Sequence, residues 1–208
     1  ARGQMFLHYQ PKVDSTRDSI IGVEALLRWR HPERGMISPE TFIALAERFG
    51  IIISLGNWVI EEACRQLAQW RAVGLHMRVA INLSVHQLRE AGLARRIATT
   101  LKRHGVDADQ LLCEITESIA MEDTQATQRT FEELRSIGVY LSIDDFGTGY
   151  SSLNYLRQLP AQQVKIDRSF IRDLETEEDA RAVVHAVIGL AHALDLRVVA
   201  EGVETAGQ

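Results

Sequence analysis

The run Leu111-Leu112-Cys113-Glu114-Ile115-Thr116, a helical pattern over 124–137, Gly138, and then Tyr140-Leu141-Ser142-Ile143 form one strand–helix–strand unit. The apolar β-rich runs are short, the segment between them is long and amphipathic, and a glycine follows it where a left-handed C-cap is wanted. A crossover of that length joins parallel strands. The same grammar extends in both directions. Strands are predicted at Met5–Gln10, Ile20–Leu27, Arg78–Asn82, Leu111–Thr116, Tyr140–Ile143, Gln163–Ile166 and Arg197–Ala200. Helices are predicted over 39–49, 57–73, 86–104, 124–137 and 177–194, with Gly74 and Gly105 marking two further helix ends. In the last helix Ala180, Val183, Val184, Val187, Ile188, Ala191 and Leu194 recur at helical spacing and are expected to face a core.

This alternation implies an α/β fold with a mostly parallel sheet, open or closed into a barrel. A (β/α)8 barrel of about 250 residues needs one more βα unit than is counted here. The reading is therefore a single domain over 1–208: a TIM-like barrel whose last βα unit is missing from this chain. The opening Ala1-Arg2-Gly3-Gln4-Met5 reads as cut from a longer protein.

The chain has 208 residues, 46% hydrophobic and 25% charged, with a net charge of -5. A mildly acidic surface has no global attraction for nucleic acid or an anionic membrane, so no binding of DNA or RNA polymers is expected. The two cysteines, Cys64 and Cys113, belong to no CxxC pair or Cys/His cluster, which argues against a disulfide scaffold or structural zinc. Apolar runs fall short of the ~18 residues that a membrane span needs. A cytoplasmic location is expected, alone or as the cytoplasmic domain of a membrane-anchored receptor.

The polar residue at the end of each apolar run carries the chemistry. Val23 leads into Glu24, Ile81 into Asn82, Cys113 into Glu114, Ile143 into Asp144-Asp145, Val164 into Lys165 and Ala200 into Glu201. In a parallel barrel the C-terminal strand ends converge on the face where active sites are built. Five carboxylates beside one lysine would need compensation, and hard divalent cations bound by oxygen supply it; Mg2+ or Mn2+ fits better than Zn2+. Any one of these residues could equally be a loop residue or the N-cap of the next helix; the repetition over successive strands favours the site. Strand-end carboxylates with a lysine are also used by Mg2+-dependent barrel lyases of the enolase type. Asp167 is left without a role, and the histidines share no metal spacing.

Glu24-Ala25-Leu26, followed by Leu27-Arg28-Trp29, resembles the signature of the EAL family, the bacterial cyclic-di-GMP phosphodiesterases. It comes with Leu7-His8-Tyr9-Gln10-Pro11, Asn82-Leu83-Ser84, Glu114-Ile115-Thr116-Glu117, Asp144 through Ser152 (DDFGTGYSS), Lys165-Ile166-Asp167 and Glu201-Gly202-Val203-Glu204, in the family's order over essentially the whole chain. The resemblance implies a TIM-like barrel with an antiparallel first strand, and hydrolysis of cyclic di-GMP to linear pGpG with two Mg2+ or Mn2+ ions. By resemblance Glu24, Asn82, Glu114, Asp144, Asp145 and Glu201 are metal ligands, Glu201 directly or through water. Lys165 holds the attacking water, Glu117 orders the DFGTGYSS loop, and Gln10, Leu27, Arg28, Asn82 and Asp145 contact substrate. It further implies a homodimer through the 145–152 loop and adjacent helices, and an upstream sensor or GGDEF-type domain. Family members continue beyond the segment at 201–205 into a further helix, an eighth strand and a final helix, whereas this chain ends at Gln208. The rival within the resemblance is a catalytically silent receptor; such receptors typically lack several of the ligands that are present here.

Overall fold

The computed structural model describes residues 3–121, 125–149 and 153–208. The chain divides into two compact units, Ala1–Cys113 with Ser136–Val139, and Glu114–Arg135 with Tyr140–Gln208.

The first unit carries β1 (Met5–Asp14), β2 (Ser19–His31), β3 (Gly35–Ile37), α1 (Pro39–Arg48), α2 (Ile52–Ala72), β4 (Val79–Asn82), α3 (Val85–Leu88), α4 (Leu93–His104) and the first half of β5 (Leu111–Thr116). Its strand order is β1-β2-β4-β5, with β3 beside β2. β1 and β2 form a long antiparallel hairpin running from Met5 opposite Trp29 to Asp14 opposite Ser19. Its turn is tied by the Asp14 carboxylate, which accepts from the amides of Thr16 at 2.9 Å and Arg17 at 3.2 Å. β2 pairs parallel with β4 over Val23–Ala25 only. The hairpin explains why β1 and β2 outrun the expected strands: past Ala25 the chain stays extended against β1 and β3. Glu24 therefore lies within a strand rather than at its end.

Residues of α2 (Val59, Ile60, Ala63, Cys64, Leu67), of β4 (Val79, Ala80, Ile81) and of α4 (Leu93, Ala94, Ile97, Leu101) are buried in this unit. Each large aliphatic side chain so buried contributes roughly 1.5–3 kcal/mol. The single helix expected over 86–104 is two. Ser84 caps α3 by accepting from the Gln87 amide, and Gly92 begins α4 at φ 90. Gly74, Gly105 and Gly138 have φ 80, 62 and 88, the left-handed helix ends read from the sequence.

The second unit continues with α5 (Glu117–Ala120), α6 (Gln125–Ser136, except its last residue), β6 (Tyr140–Phe146), α7 (Leu153–Gln158), β7 (Gln163–Ile166), α8 (Arg168–Arg172), α9 (Glu178–Ala193) and β8 (Arg197–Ala200). Its strand order is β5-β6-β7-β8. β7 pairs parallel with β6 and with β8. Val184, Val187 and Ala191 of α9 are buried, as expected; Ala180, Ile188 and Leu194 are half-buried, and Val183 lies 38% exposed beside that stripe. Asp167 proves to be the N-cap of α8, its carboxylate accepting from the Ser169 amide at 2.9 Å. Among the described residues no helix is long and apolar enough to cross a membrane.

Candidate active site

In the first unit, strand register alone assembles a polar group. Gln10 is directly opposite Glu24 in the β1–β2 hairpin, so both side chains leave the same face of the sheet. On the other side Glu24 is level with Ala80, and Asn82, two residues further along β4, shares that face. The Asn82 Nδ2 accordingly donates to the Glu24 Oε1 at 3.0 Å. Arg28, four residues beyond Glu24, keeps the same face by alternation, and its Nη1 donates to the Leu27 carbonyl at 2.9 Å. Leu27 alternates to the other face, opposite Leu7.

In the second unit the group is centred on Lys165. The residue lies at 1% exposure, and its Nζ reaches Glu201 Oε1 at 2.6 Å, Asp144 Oδ1 at 2.9 Å and Glu114 Oε2 at 3.2 Å. Buried charges survive only when paired, and this ammonium meets three carboxylates. Asp144 and Asp145 are successive strand residues, which ordinarily point to opposite faces. Here β6 carries one extra residue between Ile143 and Phe146 relative to β7, and Asp145 adopts φ 53. Such a bulge re-aims a side chain. As a result Asp144, Asp145 and Glu201 each offer a carboxylate oxygen, all within 4.8 Å of one another. The donor set is oxygen only, without His or Cys, and suits a hard divalent cation.

Glu117 opens α5 and is 1% exposed. Its Oε2 accepts from the amides of Gly147 at 2.9 Å and Gly149 at 3.2 Å, so a buried carboxylate grips the main chain just after β6. Gly147 has φ 100, and a Cβ there would lie 2.8 Å from the Phe170 ring. A Cβ on Gly149 would stand 3.2 Å from Glu117 itself. Gly147 is thus favoured by both space and backbone conformation, whereas a side chain at 149 would press on the Glu117 carboxylate and make it give by a few tenths of an ångström. Tyr150, Ser151 and Ser152, the remainder of the loop expected at a dimer contact, lie outside the described residues.

The model of the EAL domain family matches residues 1–208. The chain belongs to the EAL family. Two curated relatives come from Pseudomonas aeruginosa. The bifunctional diguanylate cyclase/cyclic di-GMP phosphodiesterase MucR is 49% identical over 208 residues, covering 100% of this chain and 30% of that protein. The cyclic di-GMP phosphodiesterase PA2567 is 44% identical over 199 residues, covering 96% and 34%. The EAL domain thus spans about a third of these relatives. Among solved structures, a complex of the MucR phosphodiesterase with c-di-GMP superposes with a TM-score of 0.94 at 49% identity, over 99% of this chain and 83% of that one. The TIM-like α/β fold class, with the antiparallel first strand that the resemblance implied, is borne out.

Of the residues singled out in sequence, Glu24, Asn82 and Gln10 come together in the first unit. Lys165, Glu114, Asp144, Asp145 and Glu201 come together in the second. Sequence reasoning missed the bulge that turns Asp145. The only signal for it is the doubled aspartate at the end of an alternating strand, which breaks the apolar/polar period.

Proposed function

We propose that this EAL domain hydrolyses one phosphodiester of cyclic di-GMP to linear pGpG, using two divalent cations, Mg2+ or Mn2+. The observation that carries the reading is the buried Lys165 ammonium held among Glu114, Asp144 and Glu201, beside the cluster of Asp144, Asp145 and Glu201. The names of MucR and PA2567, and the bound c-di-GMP in the MucR structure, support the substrate. The proposed ligands are Glu24, Asn82, Glu114, Asp144, Asp145 and Glu201. Bound cations supply Lewis acidity, polarising the phosphoryl oxygens and favouring hydroxide over water at neutral pH.

The chain's own residues do the rest. Lys165, a cation without acceptor capacity, places its positive charge beside the attacking water and stabilises charge on the phosphoryl group. The three carboxylates fix its ammonium in place. Arg28 binds a phosphate oxygen, and Gln10, Asn82 and Asp145 contact the nucleotide; Leu27, on the other face of β2, is turned away from this group and is dropped from the substrate contacts. Glu117 sets the path of the chain that follows Asp145. The water oxygen forms its bond to phosphorus in line as the P–O3′ bond breaks; the water gives up one proton to solvent and the departing 3′ oxygen takes one up, giving a 5′-phosphate and a free 3′ hydroxyl.

The domain is further proposed to dimerise through the 145–152 loop and its neighbouring helices. In its full protein it would work beside an upstream sensor or GGDEF-type domain, in the cytoplasm. The deciding experiment is incubation with cyclic di-GMP in Mg2+, in Mn2+ and in chelator, resolved by chromatography. Metal-dependent formation of pGpG is the expected result. Tight binding without conversion would instead make the domain a receptor, and neither binding nor conversion in a folded sample would overturn the assignment.

A further inference from the structure

The turn that leaves β4 just after Asn82 is unusually well fastened. Leu83 is buried, and Ser84 and Gln87 close a reciprocal capping box: the Gln87 amide donates to Ser84 Oγ at 3.3 Å, and the Ser84 amide donates to Gln87 Oε1 at 3.2 Å. The box does not face solvent. Gln87 is 2% exposed, and its carboxamide lies against the bare Cα of Gly56 in the middle of α2. A Cβ on Gly56 would stand 2.6 Å from Gln87 Oε1 and closer still to Cδ and Nε2. Gly56 has no left-handed φ, so its backbone would accept alanine, and a glycine inside a 21-residue helix is otherwise a liability. The Gln87 Nε2 is buried with no hydrogen-bond partner. A donor left unsatisfied in that way is a cost, tolerated here while the same group's oxygen holds the turn.

We propose that Gly56 is a positioning residue for Asn82: its missing side chain seats the Gln87 carboxamide, which with Ser84 fixes the turn after β4 and keeps the Asn82 carboxamide on Glu24. This rests on the reading of Asn82 and Glu24 as metal ligands. Capping boxes are common devices of helix entry. This one is set apart by its burial against α2, two residues beyond a proposed ligand. Support of that kind around metal ligands typically changes affinity by about 10–100-fold when removed.

The test is Mn2+ binding, followed by the paramagnetic resonance of the free ion, without nucleotide, on the whole domain. The proteins are the wild type, Ser84→Ala, Ser84→Thr, Gly56→Ala and Asn82→Ala, each checked for folding by circular dichroism. Ser84→Ala and Gly56→Ala are expected to weaken Mn2+ binding at least about tenfold, toward the level of Asn82→Ala, while Ser84→Thr, which keeps the capping oxygen, stays near wild type. Should Gly56→Ala fail to fold, the Ser84 pair decides. Wild-type affinity in Ser84→Ala and Gly56→Ala, with affinity lost in Asn82→Ala, would overturn the positioning role alone. Failure of the wild type to bind Mn2+, or indifference to Asn82→Ala, would overturn the metal-site reading beneath it.

Discussion

Replacing Lys165 with methionine keeps the length and apolar stem of the side chain and removes only its charge and donors. In the native protein that ammonium stands 2.6, 2.9 and 3.2 Å from three carboxylates. At an effective dielectric of about 20, each such contact is roughly 5 kcal/mol of Coulomb attraction, most of it offset by the desolvation of both partners. The Glu201 side chain is 28% exposed and its share is screened, whereas Glu114 is 0% and Asp144 11% exposed. Removing one partner from a buried ionic group costs about 3–5 kcal/mol, because the charges left behind are uncompensated. In a domain of this size each kcal/mol moves the melting temperature by about 2–4 °C. Lys165→Met should therefore melt roughly 6–20 °C below wild type in chelator. Added Mn2+ should raise the variant's melting temperature by more than it raises that of the wild type, since a cation then compensates the same carboxylates. The assay is thermal unfolding by circular dichroism, with and without metal. A variant melting within about 2 °C of wild type in chelator would refute the view that this lysine compensates the acidic cluster.

Glu24→Ala should abolish conversion of cyclic di-GMP while leaving the circular dichroism spectrum unchanged; retained turnover would remove Glu24 from the ligand set. Glu117→Ala frees the amides of Gly147 and Gly149. Their hydrogen exchange should accelerate, and turnover should fall by about 100-fold, the scale set by ångström-level misplacement of catalytic groups. Gly147→Ala must force a side chain into φ 100 against Phe170, and denaturant unfolding should show a loss of about 2 kcal/mol. Burial pushes the Cys64 thiol up to about 12 from 9.0 and the Tyr9 hydroxyl up to about 12 from 10.0. The unfolded chain then gives up these protons first, so stability from both groups is intact below about pH 9 and lost as pH rises toward 12. The double variant Cys64→Ala/Tyr9→Phe should show a shallower decline of melting temperature over that window.

Much of the fold was readable in the residues because burial and period leave a local mark. Val79-Ala80-Ile81 and Val164-Lys165-Ile166 read as strands because both faces of a parallel sheet are covered, and α9 shows its buried Val184, Val187 and Ala191 at helical spacing. The extent of β2 was not readable. It is set by the antiparallel partner from Met5 to Asp14, a pairing that local propensity does not encode. The split between α3 and α4 was legible in principle, since Ser84 with Gln87 is a capping signature and Gly92 a punctuation mark, but the apolar period carries through both. At the site, residue identity gave the candidates and register gave their company. That Asn82 donates to Glu24 follows from one parallel pairing, whereas the shared direction of Asp144 and Asp145 depends on a bulge that alternation forbids one to expect.

The grip of Glu117 falls on amide hydrogens, which every residue but proline possesses. At 147 and 149 Glu117 therefore holds the course of the backbone rather than any side chain. Thr148, between the two gripped positions, turns its hydroxyl back to the Asp145 carbonyl at 2.8 Å. A saturation library at 147 and 149 should accordingly exclude proline at both positions, and at 147 should admit glycine far ahead of any other residue.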